Sequence, residues 1–269
     1  MTYRIVAIAL ISVLTACSDR TQTANSNDST SPADTIERTT ESIHVAAVEH
    51  TERGATDKER DAGRKPAEVL EFFGIAQGMD VLDMFSGGGY YTEVLSRVVG
   101  SEGSVIAHTN QAYAGFVGEE ATIRYANYRL PNVEILMAEN NAFEFPDGAF
   151  DAVLMILAYH DIYYVSPNDG WPKIDGPKLL DAIFISLRPG GILAIVDHYA
   201  AAGSAPETGN TLHRIDPEIV IAEIKAAGFV LNGKSEVLRN MDDNHSLNMA
   251  APEVRGKTDR FVLRFKKPN

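Results

Sequence analysis

The chain has 269 residues and an excess of acidic side chains, 37 against 24 basic ones, which gives a formal net charge of −13. This acidic balance repels phosphate backbones and argues against nucleic acid as a substrate or partner. The single cysteine, Cys17, excludes a disulfide within one chain, so the hydrophobic core must stabilise the fold without one.

The first residues are typical of an export signal. Arg4 precedes an apolar run, residues 5–14, that is too short to span a bilayer but has the length of a signal-peptide core. The run ends in Leu14-Thr15-Ala16-Cys17, which resembles a bacterial lipobox. This resemblance implies that residues 1–16 are a signal peptide and that Cys17 carries the lipid that anchors the protein in the cell envelope, facing the periplasm. The choice between inner and outer membrane stays open, and a plain secretory signal with an incidental cysteine is the alternative.

The next segment has the composition of a linker. Residues 18–40 contain few apolar side chains and are rich in Ser, Thr, Asn and Asp. Such a segment cannot bury enough surface to offset its ordering entropy, so we assign residues 17–45 to a flexible polar tether. The remaining residues, 46–269, have the length of one α/β domain.

Within this domain, short apolar runs alternate with segments that have the period of amphipathic helices. The predicted strands are residues 80–83, 103–108, 133–137, 150–156, 192–197, 235–239 and 260–265. The predicted helices are residues 66–73, 92–99, 119–128, 176–187 and 217–227. Strands that alternate with helices indicate a parallel sheet with right-handed crossovers, and the continuous apolar run 150–156 is typical of a strand buried on both faces.

The first predicted strand ends in a glycine-rich turn, Gly87-Gly88-Gly89, that leads into a helix. Glycines at this point let the backbone approach a bound molecule, and Asp83 lies at the carboxyl end of the strand, where open α/β sheets bind their ligands. The G-x-G-x-x-G spacing of a nicotinamide-binding turn fails, because Tyr90-Tyr91-Thr92 follow the glycines. An ordinary glycine-rich joint between a strand and a helix is the alternative.

The same turn resembles the first motif of class I S-adenosylmethionine-dependent methyltransferases, in which an acidic residue stands two positions ahead of a G-x-G-x-G run. Asp83 matches the acid, Gly87 and Gly89 match two glycines, and Phe85 replaces the first glycine. Three further segments resemble signatures of this family in order and spacing: Phe150-Asp151-Ala152-Val153, Leu187-Arg188-Pro189-Gly190-Gly191 and Ala226-Ala227-Gly228-Phe229. The glycine turn is most similar to that of predicted bacterial methyltransferases that carry export signals.

The resemblance implies an α/β, Rossmann-like methyltransferase fold: a mostly parallel seven-stranded sheet, helices on both faces and an antiparallel last strand. It also implies S-adenosylmethionine as the cofactor. The residues that would hold the methionine part of this cofactor are Asp83, Ser86, Gly87 and Gly89.

The ribose and adenine contacts implied by the resemblance are less complete. The family places an acid at the end of the second strand, where it accepts hydrogen bonds from both ribose hydroxyls, but His108-Thr109-Asn110 contains no acid. Asn110 could accept a hydrogen bond from one hydroxyl and donate one to the other. Glu139 matches the acid near the adenine, with Asn140 beside it.

Histidines and aspartates follow the fourth and fifth predicted strands. His160 and Asp161 come after the fourth strand, Asp197 and His198 end the fifth, and His213 precedes the next helix. Histidine titrates near neutral pH and can take a proton from an acceptor while a carboxylate orients its ring. We therefore predict His160, Asp161, His198 and His213 as catalytic residues, with His160 as the base.

The same side chains permit a metal hypothesis, because two histidines and two aspartates can bind a divalent ion. Adjacent residues at a strand end point in opposite directions, so both members of a pair seldom bind one ion, and no metal is predicted. Four aromatic residues between the fourth strand and the next helix indicate a lid over a flat or cationic acceptor, although packing under a long loop would also explain them. They are Tyr159, Tyr163, Tyr164 and Trp171.

These observations together predict an exported, lipid-anchored methyltransferase that acts on a small or amphiphilic acceptor. A binding lipoprotein that kept the fold without catalysis is one alternative, because S-adenosylmethionine is made in the cytoplasm and the sequence shows no means of supplying it outside. A nicotinamide-dependent oxidoreductase is another, and the glycine spacing disfavours it.

Overall fold

The computed structural model describes residues 42–142 and 144–269. The predicted signal peptide, Cys17 and most of the predicted tether lie outside these residues. The tether was predicted to extend to residue 45, whereas the first helix already begins at Ile43. Of the helices in the described ranges, none combines the length and the apolar character needed to cross a bilayer.

A single mixed sheet organises the described part of the chain, with the strand order β3-β2-β1-β4-β5-β7-β6. The strands are β1 Asp80–Met84, β2 Ser104–Thr109, β3 Val133–Met137, β4 Phe150–Ile156, β5 Leu187–His198, β6 Val230–Ser235 and β7 Arg260–Lys266. The first five strands pair in parallel, and β7 runs antiparallel to both β5 and β6. This confirms the predicted seven-stranded, mostly parallel sheet with an antiparallel last strand.

Helices cover both faces of the sheet. They are α1 Ile43–Glu49, α2 Ala55–Arg64, α3 Pro66–Phe73, α4 Tyr90–Val99, α5 Gln111–Val117, α6 Glu120–Tyr125, α7 Gly176–Ser186, α8 Thr208–Leu212 and α9 Pro217–Ala226. Local chemistry sets several ends: Pro66 and Pro217 lie in first turns, the Asp216 carboxylate accepts a hydrogen bond from the Glu218 backbone, and Gly74 ends α3 in the left-handed conformation.

The strands alternate their side chains between two apolar layers. Val81 of β1 and Leu154 of β4 belong to the layer formed with α3 and α4, whereas Leu82 and Val153 belong to the layer formed with α7 and α9. All four side chains are fully buried, as expected for central parallel strands. The carboxyl ends of β1, β4 and β5 therefore meet at one edge of the sheet, where ligands bind in this architecture.

Three elements differ from the sequence prediction. The strand predicted at residues 235–239 was placed wrongly, because β6 is an exposed edge strand whose Asn232 and Gly233 weaken its strand signal, and residues 236–239 form a turn. The helix predicted at 119–128 ends at Tyr125, and Asn127 adopts a left-handed backbone conformation beyond it. Helix α2 was not predicted, since it is almost entirely polar and lacks an apolar stripe.

Candidate active site

The turn between β1 and α4 depends on left-handed backbone conformations. Gly87 has a φ of 58° and Gly89 has a φ of 80°. A side chain at Gly89 would also collide with the Tyr125 hydroxyl and the Arg124 side chain, so glycine is required there for both reasons. Phe85, which replaces the first glycine of the predicted motif, has a φ of 54°, and its buried ring contacts His108 edge-on.

Arg124 of α6 ties this turn to two neighbouring helices. Its Nε donates to the Gly88 carbonyl at 2.5 Å, and its Nη1 donates to carboxylate oxygens of Asp57 at 2.5 Å and of Glu93 at 2.6 Å. Burial would raise the pKa of Glu93, but hydrogen bonds from Arg129, Arg97 and Arg124 outweigh it and lower that pKa to about 2. The ion pairs therefore fix the position of the glycine turn relative to α2 and α4.

Asp83 lies at the end of β1 and is 2% exposed. Its carboxylate accepts a hydrogen bond from the Thr92 hydroxyl at 2.6 Å, but burial dominates and raises its pKa to about 7. Tyr91, Tyr113 and Tyr125 interact electrostatically with this carboxyl, and burial raises the pKa of each. A cation that binds beside Asp83 would therefore favour the ionised form of its carboxyl group.

A cavity of about 800 Å³ opens beside the glycine turn. Its walls come from α2, the glycine turn, the carboxyl ends of β4 and β5, and the segment that leads into β7. Of the predicted site residues, the cavity brings together Asp83, Ser86, Gly87 and His198. Gly89 does not line it but stands at the N-cap of α4.

One side of this cavity is positively charged. Arg60, Arg64, Arg255 and Arg260 line it, and only Arg60 has carboxylate partners among the described residues. Arg260 is 4% exposed, and its guanidinium donates to the Thr258 hydroxyl and the Gly63 carbonyl. Burial and the nearby Arg64 lower the pKa of Arg260 to about 10. An anionic group is the natural ligand for such a surface.

His198 faces the cavity from the end of β5. Its Nδ1 lies 2.6 Å from the hydroxyl oxygen of Thr258, while its Nε2 has no hydrogen-bond partner in the part of the chain that the structure describes. Burial and the positive charge of Arg260 hold the pKa of His198 well below its ordinary value. A neutral imidazole in a cavity wall, with one ring nitrogen that carries no hydrogen bond, can accept a proton.

His160, predicted to be the base, is in a different environment. Its Nδ1 lies 2.8 Å from the Asp197 carboxylate, its Nε2 lies 3.4 Å from that of Asp161, and it does not line the cavity. Burial alone would lower its pKa, but the two carboxylates raise it to about 9. The two carboxylates favour the protonated form of His160, and its ring lies outside the cavity, so this position supports it less well as the base than a histidine in the cavity wall. Asp161 and His213 also lie outside the cavity and beside His160.

The predicted ribose and adenine contacts also stand apart from the cavity. Asn110 is fully buried, accepts a hydrogen bond from the Tyr113 backbone at 2.6 Å and donates one to Asn140 at 2.5 Å. Its amide is thus already used inside the fold. Asn140 is 2% exposed and its Nδ2 is buried without a hydrogen-bond partner in the described ranges, whereas Glu139 is exposed and accepts from the Gln111 backbone.

The aromatic residues predicted to form a lid are mostly packing elements. The hydroxyls of Tyr159 and Tyr163 both donate to Glu223 of α9. Trp171 is 4% exposed and packs against Phe85 and Tyr113, and its ring nitrogen donates to the Asp161 carbonyl. These side chains do not line the cavity, so the packing alternative describes them better.

Several side chains of the site were not predicted from the sequence. Thr258 orients His198, while Arg64 and Arg260 form the positive side of the cavity. The two arginines are 196 positions apart and meet only through the tertiary fold. The basic run that contains Arg60 and Arg64 was a visible signal, whereas nothing in the sequence distinguished Thr258 or Arg260.

Comparison with known proteins finds that part of this chain is similar to methyltransferases. Residues 56–162 match the model of the protein-L-isoaspartate(D-aspartate) O-methyltransferase family. The ubiquinone/menaquinone biosynthesis C-methyltransferase UbiE of Pasteurella multocida is 32% identical over 130 residues, which cover 48% of this chain and 43% of that protein. UbiE of Marinomonas sp. is 26% identical over 188 residues, which cover 69% of this chain and 66% of that protein. The chain thus spans less than two thirds of the length of these relatives.

Solved structures share the fold at low identity. A SAM-dependent methyltransferase from Aquifex aeolicus superposes with a TM-score of 0.54 and 24% identity, covering 78% of this chain and 95% of that one. The [4+2]-cyclase SpnF superposes with a TM-score of 0.50 and 18% identity, covering 80% of this chain and 82% of that one. The second structure carries the name of a cyclase, which illustrates that this fold alone does not fix the reaction.

Proposed function

We propose that this chain is a class I S-adenosylmethionine-dependent methyltransferase that methylates a small or amphiphilic acceptor. Its fold and the match of residues 56–162 to a methyltransferase family support this proposal. One observation carries this proposal: Asp83 of β1 and the glycine turn share a cavity with His198, whose Nε2 has no hydrogen-bond partner within the described residues. Methyl transfer to O, N or S needs an acceptor aligned with the methyl group of the bound cofactor and often a base that removes the acceptor's proton.

The residues at the glycine turn fit the methionine part of S-adenosylmethionine. Asp83, Ser86 and Gly87 line the cavity, and the left-handed φ of Gly87 keeps its backbone accessible to a ligand. Asp83 would hold the cationic amino group, and the arginine side of the cavity would hold the carboxylate. The cofactor, when bound, supplies an electrophilic methyl group.

We propose His198, rather than His160, as the base that takes a proton from the acceptor. Thr258 Oγ1 accepts a hydrogen bond from Arg260 Nε at 3.0 Å and has a second lone pair for the Nδ1–H of His198. In that tautomer Nε2 is unprotonated and can accept the proton. Thr258 and Arg260 would thus act as positioning residues for His198.

The charge of the cavity favours one class of acceptor. Arg64, Arg255 and Arg260 line the cavity, and residues 42–142 and 144–269 provide none of them with a carboxylate partner. We therefore propose an acceptor with an acidic group, and we disfavour the cationic acceptor that the aromatic residues suggested. The four aromatic residues that suggested a cationic acceptor do not line the cavity, so they form no cage for such an acceptor there.

The proposed cofactor site predicts a pH-dependent affinity. Because the pKa of Asp83 is about 7, its carboxyl is largely protonated at pH 6, and a cationic amino group favours the ionised form. The affinity for S-adenosylhomocysteine should rise by about fivefold or more between pH 6 and pH 7.5. Asp83→Asn should lower the affinity at pH 7.5 by about 1.5–3 kcal/mol and abolish this rise. Calorimetry on both proteins checks it, and a wild-type affinity that is flat in pH would contradict the assignment.

We also propose that the protein works in the cell envelope, anchored by a lipid on Cys17. The support is the apolar run 5–14 followed by Leu14-Thr15-Ala16-Cys17 in the sequence. Cys17→Ser should move the protein from the membrane fraction into a soluble or unprocessed form, measured by detergent-free fractionation. Equal membrane recovery of the wild type and the variant would contradict a lipid anchor.

One argument favours the alternative of a binding lipoprotein without catalysis. The cofactor is made in the cytoplasm, whereas the proposed location is outside it. Retention of S-adenosylhomocysteine without turnover on any acidic acceptor would favour that role over the enzyme.

A further inference from the structure

Three side chains beside the cavity bring potential metal ligands together. One ligand atom each from His160, Asp161 and His213 lies within 4.8 Å of the others. Asp161 Oδ1 is 3.4 Å from His160 Nε2 and 3.9 Å from His213 Nδ1. Atoms that share an ion at about 2.0–2.2 Å are themselves about 3.0–3.5 Å apart, so small side-chain movements would close this set around an ion.

The backbone explains why adjacent residues can contribute together. His160 and Asp161 lie in a short 3₁₀ turn, Tyr159–Ile162, after β4. The sequence prediction assumed a strand end, where neighbouring side chains point to opposite faces. That geometry does hold for Asp197 and His198 of β5, because Asp197 contacts His160 and His198 faces the cavity.

Asp197 holds the His160 ring in the orientation of a metal ligand. One of its carboxylate oxygens lies 2.8 Å from His160 Nδ1, and the other accepts from the His160 backbone at 2.8 Å. A carboxylate that engages the far nitrogen of a ligating histidine is the usual outer partner in metal sites, because it fixes the tautomer. The arrangement leaves His160 Nε2 directed toward Asp161 and His213.

The residues before and after His213 fix its position beside the His160 turn. It has a φ of 50°, a left-handed conformation that is uncommon for a residue with a side chain and concentrates at functional sites. The preceding α8 packs closely on the His160 turn, since a Cβ at Gly209 would lie 2.6 Å from the His160 carbonyl. Arg214, the next residue, is fully buried in a two-pronged ion pair with Asp243.

We propose that His160, Asp161 and His213 bind one divalent first-row transition-metal ion, with Asp197 as the outer carboxylate that orients His160. Two imidazole nitrogens and one carboxylate oxygen suit Zn²⁺, Co²⁺ or Fe²⁺ better than Mg²⁺ or Ca²⁺, which prefer oxygen ligands. The remaining coordination positions would be open to water or another oxygen ligand. His198 lies close by, with its ring centroid 5.9 Å from that of His160. The proposal does not depend on the proposed methyl transfer.

The rival interpretation is an ion-paired cluster in which His160 bridges Asp197 and Asp161 without a metal. A titration of the metal-depleted full chain with Zn²⁺ and with Co²⁺ distinguishes the two. We expect one ion per chain by calorimetry, together with the visible absorption of Co²⁺ in a nitrogen- and oxygen-ligated site. Absence of stoichiometric binding of both ions to the folded protein would overturn the proposal.

Variants locate the site without relying on activity. His213→Ala should weaken Zn²⁺ binding by at least 100-fold, and Asp197→Asn should weaken it by about 10–100-fold. His245→Ala is the matched control, since His245 is similarly exposed and pairs with Asp259 elsewhere. His245→Ala should leave binding unchanged. Because His213 is partly exposed, its variant should fold, which circular dichroism checks. Equal losses in His213→Ala and His245→Ala, or none in His213→Ala, would overturn the assignment.

Discussion

His198→Ala should lower turnover by about 10²–10⁴ at neutral pH, while the affinity for S-adenosylhomocysteine stays nearly unchanged. His198 is the predicted catalytic residue that lines the cavity, and its Nε2 has no other partner within the described residues. The loss corresponds to removal of a positioned general base. The measurement is the rate of S-adenosylhomocysteine formation with a panel of acidic phenols, thiols and carboxylates.

His245→Ala serves as the control for this experiment, because His245 lies outside the cavity and pairs with Asp259. It should retain wild-type turnover. Thr258→Val should give an intermediate loss, since it removes the oxygen that orients His198 but leaves the imidazole. Wild-type turnover in His198→Ala would exclude His198 as the base and would return His160 to consideration.

Arg124→Met should lower the free energy of unfolding by about 2–3 kcal/mol, because it removes short charge-assisted hydrogen bonds from two buried carboxylates. Glu93 keeps its ion pairs with Arg97 and Arg129, so the loss stays below that of an unpaired buried charge. The Arg124 side chain is 7% exposed and contacts Asp57 and Glu93, which are 6% and 0% exposed. It also donates to the Gly88 carbonyl, so the variant should weaken cofactor binding as well. Urea denaturation of the purified protein measures the first effect.

Arg188→Met is the matched control for Arg124→Met. Arg188 pairs with Asp80 and Asp151, but its side chain is 40% exposed, so its loss should cost about 1 kcal/mol or less. The low pKa of Glu93 also predicts how the stability of the protein changes in acid. Because that pKa falls from its ordinary value to about 2, the contribution of Glu93 is complete above the ordinary value and disappears as the pH falls through about 2. Equal destabilisation by the two substitutions would contradict the account of the buried network.

The sheet and the glycine turn could be predicted because each has a strong local signal. Apolar runs such as 150–156 encode central parallel strands, and Gly87 and Gly89 encode left-handed turns that few other residues adopt. The edge strand β6 carries no comparable signal, since it is half exposed and contains glycine. Helix α2 is stabilised by contacts such as the Arg53–Asp61 ion pair rather than by an apolar face, and periodicity does not reveal such contacts.

The site could be predicted only at the level of the sheet edge. The sequence indicated that His160, His198 and His213 would follow strands at one edge, and the structure places them there. It did not reveal that His160 and Asp161 share a 3₁₀ turn, which brings their side chains together. It also did not reveal that His160 contacts Asp197 and lies outside the cavity. Asn110 was expected at the ribose, but its amide caps α5, because Asn is also a favoured helix cap. These differences arise from tertiary contacts between distant segments.

The most direct test of the central claim is a calorimetric titration of the purified full chain with S-adenosylhomocysteine, S-adenosylmethionine and NAD⁺. We expect the first two ligands to bind with a stoichiometry of one per chain, and we expect no binding of NAD⁺. Asp83→Asn should weaken both, because Asp83 lies in the cavity beside the glycine turn. Binding of NAD⁺, or no binding of either S-adenosyl compound to the folded protein, would contradict the proposal that this fold uses S-adenosylmethionine.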